Sequence, residues 1–98
     1  MSSATLLGTY LVGQRLTSRC QFDLSGVLTD PTSITCQIKA PGGTVTPYIP
    51  PAVVKESTGI YVLDWTPNAA GTWVVKWTAT GNVEAVDEGQ VIAVASLI

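Results

Sequence analysis

The chain has two cysteines, seven carboxylates and no histidine. Without imidazole, Ser–His and Cys–His nucleophile activation is excluded, along with the commonest base near neutral pH. Paired-carboxylate catalysis needs two acids converging across a cleft, and no spacing here brings two together. Glu84, Asp87 and Glu88 could offer oxygens to calcium, but they match no calcium-loop pattern. A solvated acidic turn is the simpler reading. Zinc needs about four ligands, more than Cys20 and Cys36 supply. No glycine-rich phosphate loop or dinucleotide fingerprint is present. The sequence therefore predicts no catalytic residues, no cofactor and no metal.

The remaining chemistry-bearing side chains are aromatic. All three tryptophans lie in STGIYVLDWTPNAAGTWVVKWTATG, Ser57 to Gly81. Side chains along a strand alternate between faces. Asp64 marks the wet face of one strand, so Tyr61, Leu63 and Trp65 face a core. Lys76 marks the wet face of the next, so Trp73, Val75, Trp77 and Ala79 face inward. Pro67, Asn68 and Gly71 connect the two as a short turn, which makes this pair the expected centre of the domain. A sugar-stacking platform is the competing use of such aromatics, but only Tyr10 and Tyr48 fall outside the predicted core faces.

The other elements are short strands. Thr9 to Gly13 reads as an edge strand. From Arg15 to Leu24, Leu16, Ser18, Cys20, Phe22 and Leu24 share the inner face. Asp30 and Pro31 mark a turn before Ile34 to Ala40, whose Ile34, Cys36, Ile38 and Ala40 point inward. PGGT, Pro41 to Thr44, signals a hairpin, and Pro47 confines Val45 to Ile49 to an edge. Ala52 to Lys55 reads as a further short strand. Val83 to Gly89 is less regular, with Gly89 expected to mark a bulge. The last strand, Gln90 to Ser96, sets Ile92 and Val94 on one face and Val91, Ala93 and Ala95 on the other. No helical periodicity and no internal repeat appears. About seven strands punctuated by Gly and Pro predict an all-β, Greek-key, immunoglobulin-like β-sandwich. It spans residues 9–98 behind a flexible N-terminal arm, residues 1–8. In that frame Trp73, just after Gly71, is expected to bond its indole N–H back to loop backbone. Cys20 and Cys36 fall in opposite sheets, where a cross-core disulfide is conceivable. The N-terminus lacks the basic start of a signal peptide, which favours two buried free thiols.

Apolar residues are 46% of the chain and charged residues only 12%, with a net charge of −2. Five dispersed Lys and Arg make no basic stripe, so nucleic-acid binding is not expected. No apolar run reaches membrane-spanning length, so no membrane partner is expected. Weak charge repulsion permits self-association and packing on a partner.

GQRLTSRCQF, DPTSITCQIKAPGGTVTPY, the tryptophan stretch and EGQVIAV together resemble small immunoglobulin-like structural proteins of tailed bacteriophages. The shared features are a strand leading into DPT, a strand ending in P-x-G-T-V, a G-x-Y strand, a G-T-W strand and a terminal E-G-x-hydrophobic strand. The resemblance implies a non-enzymatic virion protein, made in the host cytoplasm without a signal peptide. Capsid decoration or another head-associated role comes first, a tail or neck accessory second. The implied partners are the major capsid, portal, neck or tail proteins, and further copies of the chain. A surface-displayed carbohydrate-adhesion module is the alternative. The expected contact residues are the apolar ends outside the predicted core: Leu6, Leu7, Tyr10, Val12, Leu97 and Ile98.

Overall fold

The computed structural model describes residues 8–95 and 97, and the backbone of residues 2–4. In chain order the strands are β1 (Ser2–Ala4), β2 (Gly8–Leu11), β3 (Leu16–Leu24), β4 (Val27–Leu28), β5 (Ser33–Lys39), β6 (Val45–Tyr48), β7 (Val54–Ser57), β8 (Ile60–Trp65), β9 (Gly71–Thr80) and β10 (Ala85–Val94). They form two sheets. Sheet I has the order β1-β3-β8-β7, with β4 paired to β3; sheet II has the order β2-β10-β9-β5-β6. All pairs are antiparallel except β2 with β10.

Alternation explains the layer between them. Leu16, Ser18, Cys20 and Phe22 of β3 are buried, as are Ile34, Cys36 and Ile38 of β5. Tyr61, Leu63 and Trp65 of β8 meet Trp73, Val75, Trp77 and Ala79 of β9. The rings interlock across the sheets: Trp65 and Trp73 lie 5.5 Å apart, and Phe22 stands edge-on to Trp77 at 6.5 Å. Trp77 Nε1 donates to the buried Ser18 hydroxyl at 3.2 Å, joining the layers by a polar contact inside the core. Trp73 Nε1 donates to the Ala69 carbonyl at 3.0 Å, the bond back to loop backbone that the sequence predicts.

Several expectations need correcting. The tryptophan strands do not pair with each other. β8 belongs to sheet I and β9 to sheet II, so residues 66–70 carry the chain across the core instead of closing a hairpin. Alternation shows which residues share a face but not which strand is the neighbour. Gly89 is no bulge: the β9–β10 register runs unbroken from Ala85 to Ala93, with Gly89 opposite Val75. β10 is therefore much longer than the predicted last strand. Leu24 is 52% exposed. It ends β3 at the two-residue turn Ser25–Gly26, where φ is 54° and 86°, past the covered part of the strand. Where the sequence predicts a flexible arm, Ser2–Ala4 add a strand to the β3 edge, Ser2 opposite Phe22 and Ala4 opposite Cys20.

Candidate functional site

At one end of the sandwich Asp30 is the organising residue. Its carboxylate accepts from Lys55 Nζ at 2.6 Å, Gly59 N at 2.8 Å and the Tyr61 hydroxyl at 3.2 Å. Its backbone carbonyl accepts from Asn82 Nδ2 at 3.0 Å, and Asn82 Oδ1 accepts from Thr32 N at 2.8 Å. The Lys55 hydrogen bond, then the Gly59 N–H, holds the Asp30 carboxyl below the usual carboxylate range, and Asp30 in turn raises Lys55. Burial, then the Asp30 charge, raises the Tyr61 hydroxyl. A low-pKa carboxylate engaged by three donors is a poor base. The cluster instead fastens the β7–β8 turn to the loop before β5. Gly59 is required there: its φ is +75°, and a Cβ would stand 2.6 Å from the Phe22 carbonyl oxygen.

The two thiols belong to strands of opposite sheets, and both are buried and outside any disulfide. Burial, and secondarily the neighbouring Cys20, pushes the Cys36 thiol up to about 12. Buried in this way, both thiols pack as small apolar side chains of the core. Among the described residues, no three acidic or thiol side chains group as metal ligands.

The surface carries the stronger functional signal, because the two outer faces differ. On sheet I, Arg15 pairs with Asp64 and Arg19 with Glu56, each at 2.6 Å. Thr17 also donates to Asp64 at 2.6 Å, and this bond, then Arg15, lowers the Asp64 carboxyl. On sheet II, Val91 and Ala93 are buried, which turns Ile92 and Val94 outward, 47% and 39% exposed. The parallel register sets Leu11 beside Val94 and Thr9 beside Ile92, and Leu11 is 49% exposed. Val86 and Val45 are also exposed, but Glu88 and Gln90 stand between Val86 and Ile92 on β10, and Lys76 and Lys39 lie between β10 and β6, so the apolar patch is confined to Leu11, Ile92 and Val94. Among the described residues no ion pair lies on this face.

The predicted contact residues separate on this map. Tyr10 and Val12 are half-buried against the core and support the sheet edge more than they project from it. Leu97 is fully exposed beyond β10. Leu6, Leu7 and Ile98 lie outside the described residues. Leu11, Ile92 and Val94 were not among the expected contacts. For Ile92 and Val94 the signal was the double apolar alternation of the last strand, where only the packed core shows which set is spare.

No family model matches the chain, and no curated protein matches it. Solved structures do. The chain is similar to the Lin-41 filamin domain, with a TM-score of 0.72 at 15% identity over 95% of this chain and 91% of that one. It is also similar to part of a putative glycoside hydrolase from Bacteroides vulgatus, with a TM-score of 0.61 at 11% identity over 93% of this chain but only 17% of that one. At such identities the likeness establishes the fold alone: the chain is an immunoglobulin-like β-sandwich.

Proposed function

We propose that the chain is a non-enzymatic structural module that docks through the outer face of sheet II onto a larger assembly. The observation that carries this reading is the difference between the two faces. Sheet I also exposes Val54 and, at its β3–β4 end, Leu24, Val27 and Leu28, but its face carries two ion pairs, whereas sheet II sets Leu11, Ile92 and Val94 close together at an edge with no ion pair among the described residues. Exposed apolar side chains clustered on one face mark an interaction surface more often than chance placement does. The assembly we propose is a tailed-phage virion, with the chain as a capsid decoration or other head-associated protein, and a tail or neck accessory as the alternative. Support for that setting comes from the sequence resemblance and from the low charge content, 12% of residues. The proposed partners are major capsid, portal, neck or tail proteins and further copies of the chain.

Co-sedimentation of the purified chain with assembled phage heads, and separately with tails, tests both halves. Saturable binding at a fixed copy number, lost in an Ile92→Lys/Val94→Lys variant that still folds, is the expected result. A chain that stays in the supernatant with both would sink the virion reading. Undiminished binding by the variant would move the contact off sheet II.

A further inference from the structure

We infer that the uncovered side of β10 is a pairing edge for a second copy of this chain, and that Asp87 holds it shut. On one side β9 covers β10 from Ala85 to Ala93; on the other β2 covers only Val91 to Val94. Among the described residues, no strand pairs with Ala85 to Gln90 on that second side. An edge of this kind is a template for another strand.

Backbone direction shows what the edge offers. Val94 O accepts from Val12 N at 2.9 Å, on the β2 side. The N–H and C=O groups of successive strand residues alternate between the two sides, and the β9–β10 register is unbroken. Val86 and Glu88 therefore turn their backbone groups the same way as Val94, onto the stretch that β2 does not reach. There the Glu88 N–H is already engaged: it donates to Asp87 Oδ1 at 3.0 Å. That bond takes away a donor that an incoming strand would need.

The placement of Asp87 is the second observation. It has the parity of the buried Val91 and Ala93, so its carboxylate stands on the inner side of the strand, half-buried. Inward-pointing charges are one of the devices that blunt sheet edges. The other edge strands use different ones. β6 carries Pro47, which has no N–H to offer. β7 is four residues long with a register break between Lys55 and Ser57, and β1 is three residues long. β10 is ten residues long and contains no proline.

The edge is its own complement. An antiparallel pairing about a two-fold axis at Asp87 sets Val86 opposite Glu88 of the second copy, so the outward backbone groups of both strands meet. The same axis sets Asp87 opposite Asp87 of the second copy, where like charges repel. One side chain thus blocks the pairing twice, by capping Glu88 N–H and by repelling its counterpart. With charged residues only 12% of the chain, little other repulsion separates two copies.

Sedimentation velocity from micromolar to millimolar concentration tests this. The parent chain should stay monomeric through this edge, and Asp87→Thr should associate into dimers roughly tenfold or more tightly, the range of two regained hydrogen bonds. Asp87→Asn keeps an acceptor for Glu88 N–H and loses the charge, so it should fall between the two. Asp87→Thr with Glu88→Pro removes the edge donor without touching the β9 side, and should return the chain to monomer. Three outcomes would overturn the proposal. The first is no association by either Asp87 variant with a native circular dichroism spectrum. The second is undiminished association when Glu88→Pro is added. The third is association lost on adding Ile92→Lys and Val94→Lys, which would assign it to the apolar patch instead of the edge.

Discussion

The two outer faces of the sandwich start from the same local rule and end with different surfaces. On sheet I the outward positions of β3 and β8 hold Thr17 directly opposite Asp64, and Arg15 and Arg19 reach acidic partners at 2.6 Å. On sheet II the outward positions of β2 and β10 hold Leu11, Ile92 and Val94, all substantially exposed. Both faces satisfy the core behind them equally well, since inner and outer side chains alternate independently. A face whose charges are already paired has little to offer an incoming surface, because exposed ion pairs are weak and well hydrated. An apolar face adds binding free energy in proportion to the area it removes from water. On the proposed reading, contact belongs to the Leu11, Ile92 and Val94 patch of sheet II.

The most damaging way to break the contrast is to remove the layer that both faces share. Trp77→Ala deletes a fully buried indole and its bond to Ser18, and should cost about 3–5 kcal/mol in denaturant unfolding. Loss of both sheets in one transition would confirm a common core, and two separated transitions would show that the faces are independent units. Next in size is Ile92→Lys with Val94→Lys. Burying lysines at a contact should weaken partner binding by about tenfold or more, about 1.4 kcal/mol. Stability should change far less, because both side chains are solvent-facing. Gln21→Lys on sheet I serves as the matched control and should leave binding unchanged.

Acid should act on the ion-paired side first. Asp30 and Asp64 have pKa values lowered in the folded chain, so the unfolded chain takes up protons at higher pH than the folded one. Their contribution is complete above the ordinary carboxylate range and is lost as pH falls below about 4 toward the folded values. Thermal melts across that interval should fall for the parent chain and fall less steeply for Asp30→Asn. The smallest effect belongs to Arg15 and Asp64. A double-mutant cycle on this exposed pair should give a weak coupling that high salt removes. A coupling that survives salt would mean that the sheet I face is more than a solvated surface.

Much of this was legible in the residues. Asp64 and Lys76 mark wet faces, and alternation from them places Trp65, Trp73 and Trp77 inside. The absent histidine removed most nucleophilic chemistry. Cys20 and Cys36 were readable as inward thiols on opposing sheets. Less legible was every feature that depends on a partner strand. Gly89 looked like a bulge because glycine is common in bulges, yet the long β9 partner keeps β10 in register. Ile92 and Val94 could not be told from Val91 and Ala93 as the outer set, because both sets are apolar. Asp30 read as a turn residue, and its grip on Lys55, Gly59 and Tyr61 was invisible because those groups are 25 to 31 positions away.

By itself the sequence determined which side chains share a face, where the chain turns, and that the product is an all-β sandwich. Those follow from covalent geometry, since successive strand residues must point opposite ways. Only the tertiary structure decided that β8 and β9, joined by five residues, lie in different sheets, and that Ile92 and Val94 rather than Val91 and Ala93 were left outside. Strand pairing and the burial of one of two apolar faces are cooperative choices made across the whole core, and no local stretch contains them.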